Sequence, residues 1–316
     1  MILRPTSRSE LTELLSNAHR LAERISRVDV GAFRRLVEHT AEDMTATVEA
    51  GMMLGDFQNE LARRGQWLPV DPPNAGELSI GELLAADPSG PRRFGCGTVR
   101  DYLIGMTVAL ADGRFISSGG KVVKNVAGYD LAKLFIGSRG SLGVIIEATF
   151  KLRPLPEIEK FVQARCASLS DADKLIGTVL NSELTPIVFD AHNMPGKDSR
   201  GDGSSTLVLG FAGTNEEVEW QLSKAGELGF NEPSSLDYEK EFWKESGSIQ
   251  KTSVLPSRTF EVLGKAGNAR FVARAGNGII YCRGAMEQNR RQASSKLAER
   301  LKNEFDPKHV LPDLIP

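Results

Sequence analysis

Apolar residues recur at helical spacing near the start of the chain. Residues 7–26 predict an amphipathic helix whose apolar face consists of Leu11, Leu14, Leu15, Ala18, Leu21 and Ile25. The pattern then predicts short helices at residues 54–61 and 80–86, and strands at residues 44–49, 67–70, 102–110, 114–117 and 144–152. Asp112-Gly113 is a hairpin turn signal between two of these strands. Residues 121–135 predict a loop followed by a helix.

A proline-rich break at Pro154-Leu155-Pro156 divides the chain into two parts. Beyond it, the pattern predicts strands at residues 160–167, 207–211, 260–263, 269–274 and 278–283, and helices at residues 171–180, 216–228 and 287–305. Residues 197–205 form a polar, glycine-rich stretch between two of these elements. This mixture of strands and helices predicts a second α+β layer structure. We therefore expect one domain at residues 1–153 and another at residues 154–316.

Composition excludes several classes of function. A net charge of −2 gives no reason to expect nucleic acid as a partner. No apolar run approaches the roughly 18 residues that span a bilayer, and the first residues lack the apolar core of a secretory signal. The cysteines and histidines are scattered along the chain, without the spacing of a disulfide framework or a metal site. They are Cys96, Cys166, Cys282, His19, His39, His192 and His309. We expect a cytoplasmic protein without a metal ion.

A glycine-rich loop is the most informative motif. Residues 137–143 hold three glycines in seven positions and run directly into the apolar strand at residues 144–152. A loop of this kind lets backbone approach a ligand closely, and its amides can form a concavity that binds phosphate groups. The alternative interpretation is a tight turn whose glycines are purely structural.

With its flanks, this loop resembles the FAD-binding domain of the vanillyl-alcohol-oxidase-type (PCMH-type) flavoproteins, and most of all the FAD-binding subunit of bacterial glycolate oxidase. The resemblance covers roughly residues 33–153 and rests on five motifs in order: residues 71–73 (DPP), 86–93 (ADPSGPRR), 97–101 (GTVRD), 119–131 (GGKVVKNVAGYDL) and 137–145. It implies an α+β fold with a two-subdomain FAD-binding domain, here with a shortened N-terminal subdomain, followed by a smaller α+β cap domain that ends in a helix.

The resemblance also implies which residues contact FAD, bound noncovalently. Residues 137–145 would lie against the nucleotide half of FAD, while Lys124 would balance negative charge on the phosphates or the reduced flavin. Two earlier stretches would supply further contacts. The complete set of expected cofactor-binding residues is Pro72, Pro73, Ile80, Ser89, Gly90, Gly97, Thr98, Lys124, Gly137, Ser138, Gly140, Ser141, Gly143, Val144 and Ile145.

The chain departs from the family pattern in two places. The family carries an early glycine-rich pyrophosphate loop, whereas only Gly31 is available in the corresponding region. Glu82 stands where a second glycine is common, and its negative charge should oppose phosphate binding. No histidine or cysteine lies in the early loop, so covalent attachment of the flavin is not expected.

No catalytic residue is assigned from the sequence. His192 is the best-placed candidate base, but an ordinary loop position is the simpler interpretation. Arg270 and Arg274 either line the cap or form salt bridges on its surface. Arg100 and Asp101 precede an apolar strand and are read as an internal ion pair.

The resulting hypothesis is an FAD-binding subunit of a glycolate-oxidase-like complex that oxidises a small 2-hydroxy acid to a 2-oxo acid. The resemblance implies a larger FAD-containing subunit and an iron–sulfur subunit as partners, with a peripheral association with a membrane-bound complex. A flavin-free structural subunit is the alternative, because the first pyrophosphate loop is shortened. A free-standing oxidase is less favoured because the sequence shows no acid–base constellation.

Overall fold

The computed structural model describes residues 1–120, 131–195, 204–284 and 295–314. Its strands are β1 (Ile2–Leu3), β2 (Arg27–Val28), β3 (Leu36–Thr40), β4 (Thr45–Glu49), β5 (Gln66–Trp67), β6 (Leu103–Ala109), β7 (Phe115–Gly119), β8 (Val144–Lys151), β9 (Arg153–Pro154), β10 (Ile158–Cys166), β11 (Val188–His192), β12 (Ser205–Gly213), β13 (Glu232–Pro233), β14 (Gln250–Ser253), β15 (Arg270–Arg274) and β16 (Ile279–Arg283). Its helices are α1 (Arg8–Leu21), α2 (Leu54–Ala62), α3 (Ile80–Ala86), α4 (Arg93–Cys96), α5 (Val99–Tyr102), α6 (Ala132–Phe135), α7 (Leu169–Leu180), α8 (Asn215–Glu227), α9 (Asp237–Lys244), α10 (Thr259–Lys265) and α11 (Ser295–Phe305).

The first part of the chain is built on a five-stranded antiparallel sheet with the order β3-β4-β8-β6-β7. Strands β6 and β7 form the predicted hairpin, closed where the Gly113 amide donates to the Leu110 carbonyl at 2.9 Å. Helices α2 and α3 cover one face of the sheet, and Phe57, Leu84 and Phe150 are fully buried there. This core holds the loop at residues 137–143 against the end of β6 and β8.

The N-terminal unit consists of one helix between two very short parallel strands. Ser7 caps α1, because its hydroxyl accepts the Glu10 amide at 3.2 Å. The helix ends at Leu21 rather than at residue 26, because Ala22 adopts a left-handed conformation with φ 54°. Strands β1 and β2 pair over two residues each. The subdomain that precedes the five-stranded sheet is therefore short, as the sequence predicts.

The second part of the chain is an antiparallel sheet with the order β13-β10-β12-β11-β15-β16-β14. Successive side chains of a strand point to opposite faces, so the two faces of this sheet carry different clusters. Leu207 and Leu209 face the cluster that includes α7, α8 and α10, whereas Val208 faces α9. The α+β fold class predicted from the sequence is confirmed.

Some element predictions are wrong. Residues 260–263 were expected as a strand but belong to α10, where Phe260 and Leu263 share one buried face at helical spacing. Strand β11 and helix α9 are not among the predicted elements, although Tyr238 and Phe242 of α9 lie on one buried face at helical spacing. Most of the polar stretch at 197–205 and the first residues of the predicted helix at 287–305 lie outside the described residues.

The C-terminal segment returns to the first part of the chain. Leu301 and Phe305 of α11 pack against the first core, and the Phe305 ring meets the Phe135 ring edge-on at 5.4 Å between centroids. Val310 and Leu311 are fully buried beside α1. The last described residues therefore pack on the N-terminal part of the fold. The division of the chain at residue 153/154 stays a prediction.

Among residues 1–120, 131–195, 204–284 and 295–314, no helix combines the length and the apolar character that crossing a bilayer requires.

Candidate cofactor-binding site

A cavity of about 440 Å³ lies between the N-terminal unit and the five-stranded sheet. This volume is typical of small-molecule sites. Five backbone segments contribute to its walls, and they are residues 26–31, residues 51–53, residues 79–82, the loop at Arg139-Gly140 with residues 143–145, and the C-terminal pair Leu311-Pro312. The predicted residues Gly140, Gly143, Val144 and Ile145 are among its lining.

Two glycines of the loop have different physical reasons to be there. Gly140 has φ +77°, and a Cβ built on it would meet no atom within 4 Å. Its amide donates no hydrogen bond to another described residue. A Cβ on Gly143 would instead lie 2.5 Å from Cγ1 of Val108. Gly140 thus presents bare backbone to open space, while Gly143 lets the loop pack tightly on β6.

The two serines of the loop use their hydroxyl protons internally. The buried Ser138 hydroxyl donates to the Phe135 carbonyl at 2.8 Å, and the buried Ser141 hydroxyl donates to the Ser138 carbonyl at 2.6 Å. Backbone bonds from the loop to α3 add to this, since the Gly137 amide donates to the Leu84 carbonyl at 2.9 Å. The Ser141 hydroxyl proton is therefore already used within the loop, so Ser141 cannot donate it to a ligand in this arrangement. Both serines instead stiffen the loop.

The early predicted stretch packs behind the cavity rather than into it. Ile80 is fully buried in the first core, and Pro72 is also buried. Neither of these residues nor Pro73 lines the cavity, which is bordered in this region by Ser79, Gly81 and Glu82. Ser79 and Glu82 form a capping box at the start of α3. This stretch positions the helix end that faces the cavity.

The later predicted stretch lies at the contact with the seven-stranded sheet. The Ser89 carbonyl accepts a hydrogen bond from the Tyr281 hydroxyl at 3.4 Å. A Cβ on Gly90 would lie 1.8 Å from the Asp71 carbonyl oxygen, so close packing explains this glycine. None of Ser89, Gly90, Gly97 and Thr98 lines the cavity.

Thr98 has a structural role that the structure makes explicit. Its amide and its hydroxyl both donate to Asp101, at 2.8 and 2.9 Å, at the start of α5. Arg100 instead donates to the Lys133 carbonyl at 3.0 Å. The predicted Arg100–Asp101 ion pair is therefore wrong, because helix capping uses the Asp101 carboxylate. Lys124 lies outside the described residues.

The N-terminal loop reaches the cavity although it is short. The Asp29 carboxylate accepts the Gly31 amide at 3.0 Å, and Arg34 donates to the Gly31 carbonyl at 2.8 Å. A Cβ on Gly51 would lie 2.1 Å from the Val30 carbonyl oxygen, so this loop packs directly on the turn after β4. Gly31 thus still contributes to the cavity wall, but its amide already donates a hydrogen bond to the Asp29 carboxylate.

Charge around the cavity is balanced. Three guanidinium groups line it, from Arg27, Arg34 and Arg139, together with three carboxylates, from Asp29, Asp56 and Glu82. Glu82 pairs with Arg27 at 3.0 Å. Of these six side chains, only Glu82 was singled out from the sequence, because nothing in the local pattern marks the other five as its neighbours.

A buried lysine ties the C-terminal segment to the loop. The Lys302 ammonium donates to the Ser141 carbonyl at 2.8 Å, to the Asp306 carboxylate at 2.7 Å and to the Pro312 carbonyl at 2.8 Å. Asp306 in turn accepts the amides of Val310 and Leu311 at 3.0 and 2.8 Å. This pair was also missed, although Lys and Asp four residues apart on a helix are a recognisable signal.

A second group of charges lies buried beneath α9 in the seven-stranded sheet. Arg274 is 1% exposed and pairs with Asp190 and Glu239, at 2.5 Å each, so the expected surface salt bridge is wrong. Burial raises the pKa of Asp190 to about 7, against the attraction of Arg274. Arg270 is exposed and pairs with Glu245 on the surface, as one of its two interpretations predicts.

His192 is a buried strand residue rather than a loop residue. Its ring stacks on Tyr238 at 4.4 Å between centroids, and its Nδ1 accepts the Met194 amide at 3.2 Å. Burial lowers the pKa of His192 to about 4, so the ring is neutral near pH 7. A neutral, enclosed imidazole with one nitrogen already accepting is part of the packing beneath α9.

Comparison with known proteins agrees with this geometry. Residues 2–119 match the FAD binding domain family. The chain is 35% identical over 161 residues to glycolate oxidase subunit GlcD of Bacillus subtilis (strain 168), covering 51% of this chain and 34% of that protein. It is 38% identical over 130 residues to glycolate oxidase subunit GlcE of Escherichia coli (strain K12), covering 41% and 37%. The resemblance inferred from the motifs is confirmed.

Further relatives have related names. The chain is 30% identical over 233 residues to the mitochondrial D-lactate dehydrogenase [cytochrome] of Arabidopsis thaliana, covering 69% of this chain and 40% of that protein. The chain thus spans 34% and 37% of the length of the two glycolate oxidase subunits it matches. A solved structure of alkyldihydroxyacetonephosphate synthase superposes with a TM-score of 0.75 at 16% identity, over 98% of this chain and 76% of the other. That likeness concerns the fold alone.

FAD is therefore the cofactor of the domain class to which residues 2–119 correspond. The cavity fits the phosphate-bearing half of this molecule: Gly140 offers backbone without a side chain, and Arg27, Arg34 and Arg139 offer positive charge. Asp29 and Glu82 act against this fit, because both carboxylates face the same space.

Proposed function

We propose that the protein is an FAD-binding subunit of an oxidoreductase that converts a small 2-hydroxy acid to a 2-oxo acid. The observation that carries the proposal is the cavity at Gly140, whose wall combines bare backbone with guanidinium groups next to a domain of the FAD-binding type. The names of the similar glycolate oxidase subunits and D-lactate dehydrogenase support the hydroxy-acid class.

The chain's own residues would hold the nucleotide rather than perform the chemistry. The Gly140 backbone and the Arg139 guanidinium would lie against the pyrophosphate, and the stiff loop around Ser138 and Ser141 would fix their position. When bound, FAD accepts the two electrons that leave the hydroxy acid as it becomes a 2-oxo acid. The set of cofactor-binding residues expected from the sequence, including Lys124, remains part of this proposal.

We place the subunit in a cytoplasmic complex, with a larger FAD-containing subunit and an iron–sulfur subunit as partners and a peripheral association with a membrane. Support comes from the two similar proteins named as glycolate oxidase subunits. The described residues include no cluster of three or more His, Cys, Asp or Glu arranged to hold a metal ion. Electrons would therefore leave this subunit through its partners.

One observation favours a second function, a flavin-free structural subunit of such a complex. The Asp29 carboxylate accepts the Gly31 amide at 3.0 Å, and Glu82 faces the cavity. A carboxylate on a loop amide occupies the kind of contact that a phosphate would make.

The deciding experiment is the visible absorption spectrum of the purified protein, recorded before and after incubation with excess FAD and desalting. We expect flavin bands at close to one FAD per chain, released by denaturation, because the attachment is noncovalent. A folded, colourless protein that retains no FAD would reject the flavoprotein and leave the structural subunit. Gel filtration with the partner subunits then tests the complex in either case.

A further inference from the structure

Three cations and one carboxylate from separate segments converge where the glycine loop meets the seven-stranded sheet. Asp87 follows α3, Arg93 begins α4, Arg139 lies in the loop and Lys251 lies on β14. Asp87 interacts electrostatically with Arg93, Lys251 and Arg100, and it is repelled by Asp101, whose carboxylate caps α5. Lys251 interacts with Arg93, Asp87 and Arg139. The four groups therefore share one region.

Backbone contacts hold the loop side of this region. The Arg139 amide donates to the Ala85 carbonyl at 2.9 Å, two residues before Asp87. A Cβ built on Gly137 would lie 3.9 Å from Cβ of Asp87. Arg139 also lines the cofactor cavity, so the group of charges begins where that cavity ends.

Contacts through Ser89 and Tyr281 hold the sheet side. Arg93 donates to the Ser89 hydroxyl at 2.5 Å, and the Ser89 carbonyl accepts from the Tyr281 hydroxyl at 3.4 Å. The Lys251 ammonium lies 6.0 Å from the centroid of the Tyr281 ring. Arg93, through Ser89, and Lys251 therefore both lie near Tyr281, although Arg93 belongs to α4 and Lys251 to β14.

The charges in this region do not balance. Among the described residues, no carboxylate lies within 4.0 Å of the charged nitrogens of Arg93, Arg139 or Lys251. Arg92, the sequence neighbour, instead pairs with Asp71 at 2.9 Å and with a second carboxylate. Loss of surrounding water lowers the pKa of Lys251, and repulsion from Arg93 and Arg139 lowers it further, although the residue keeps solvent contact.

The Asp87 carboxylate is only partly hydrogen-bonded. Oδ1 of Asp87 is buried and has no hydrogen-bond partner among the described residues. Burial raises the pKa of Asp87, against the attraction of Arg93 and Lys251. A buried acceptor without a donor is costly, and cations that lie close together repel one another even where they are exposed, as Arg139 and Lys251 are. One ligand that carries both a carboxylate and a hydroxyl group would satisfy both.

We propose that Arg93 and Lys251 bind the carboxylate of a small 2-hydroxy acid, next to the cofactor cavity that Arg139 lines, and that Asp87 accepts a hydrogen bond from its hydroxyl group. The inference rests on the proposed function and adds the residues that bind the substrate. Guanidinium groups form paired hydrogen bonds with a carboxylate, and the lysine adds a point charge. The seven-stranded sheet would contribute Lys251, so the site requires both parts of the chain.

Calorimetric titration with oxalate, a small carboxylate that lacks an oxidisable hydroxyl, tests this site on FAD-incubated protein at fixed ionic strength. We expect Arg93→Gln and Lys251→Gln each to weaken oxalate binding at least tenfold while the FAD content stays unchanged. Lys240→Gln removes the same charge from an exposed position on α9 and should bind oxalate as the unmodified protein does. Unfolding temperatures establish that each variant is folded. If only one of Arg93→Gln and Lys251→Gln folds, that variant alone is enough to test the site.

The outcomes separate this inference from the proposed function. Oxalate that does not bind, or that binds equally to all four proteins, would overturn the inference. Loss of FAD from Arg93→Gln or Lys251→Gln, with oxalate binding retained, would assign these cations to a cofactor phosphate instead. If the unmodified protein holds no FAD, the proposed function fails, yet the heat of oxalate binding to the flavin-free chain still decides whether this carboxylate site exists.

Discussion

The Lys302 ammonium lies 2.8 Å from the Ser141 carbonyl oxygen, so a helix near the C-terminus holds the glycine loop directly. The two residues are 161 positions apart in sequence. Lys302 is only 4% exposed, and its ammonium also donates to the Asp306 carboxylate and to the carbonyls of Leu311 and Pro312. Since Leu311 and Pro312 also line the cavity, the segment that Lys302 holds forms part of the cavity wall.

Replacing this lysine should weaken both the fold and the cofactor site. Lys302→Met keeps the length of the side chain but leaves the buried Asp306 carboxylate without its cation, which costs about 3 kcal/mol of unfolding free energy. We expect urea denaturation to report this loss, and FAD titration to report weaker binding at urea concentrations where the variant is folded. Lys296→Met on the exposed side of α11 is the control. Equal stability of the two variants would contradict the clamp.

The two loop glycines should respond differently to the same substitution. Gly140→Ala adds a methyl group in open space at φ +77°, so it should cost only about 1 kcal/mol of stability yet weaken FAD binding at least tenfold. Gly143→Ala forces a methyl group against Val108 and should cost roughly 1–3 kcal/mol through overpacking. Urea denaturation and FAD titration of both variants measure the two effects. Unchanged FAD affinity in a folded Gly140→Ala would place the cofactor elsewhere.

The sequence predicts the regular elements better than their long-range contacts. Strands such as β6 and β8 carry continuous apolar runs, so their existence follows from local pattern and from the glycine loop between them. The burial of Arg274 and His192 does not follow, because α9 covers them and the local pattern does not show which strands a helix packs on. Likewise, Lys302 reaches Ser141 only through the return of the C-terminal segment.

The candidate site shows the same division. Motif resemblance identifies Gly140 and residues 143–145, which line the cavity. It does not separate them from Gly90, which packs, and Thr98, which caps a helix. The reason is physical: a glycine needed for close packing and a glycine needed for a ligand look identical in sequence. Only the space around each one distinguishes them.

Removing the negative charge of Glu82 should improve FAD binding. Glutamine retains the capping role at this helix position, and Glu82→Gln releases Arg27 from its 3.0 Å ion pair. One fewer anion and one more available cation near the phosphates should strengthen binding roughly fivefold, about 1 kcal/mol. Fluorescence titration with FAD at low ionic strength measures this. Glu77→Gln, an exposed position outside the cavity, is the control and should leave the affinity unchanged. Weaker binding in Glu82→Gln would contradict an opposing charge.

Burial of His192 should make the protein less stable as the pH falls. The folded-state pKa of about 4 lies below the unfolded value of 6.5, so the unfolded chain binds more protons between these pH values. The contribution of His192 is therefore fully present above pH 6.5 and is lost as the pH falls towards 4. A shift of this size corresponds to about 3 kcal/mol as an upper bound. His192→Phe preserves a ring to stack on Tyr238 and cannot titrate. We expect the stability difference between the unmodified protein and this variant, measured by urea denaturation, to change with pH in that window in favour of the variant at low pH. Parallel stability curves from pH 7 to pH 4 would show that His192 is not protonated on unfolding.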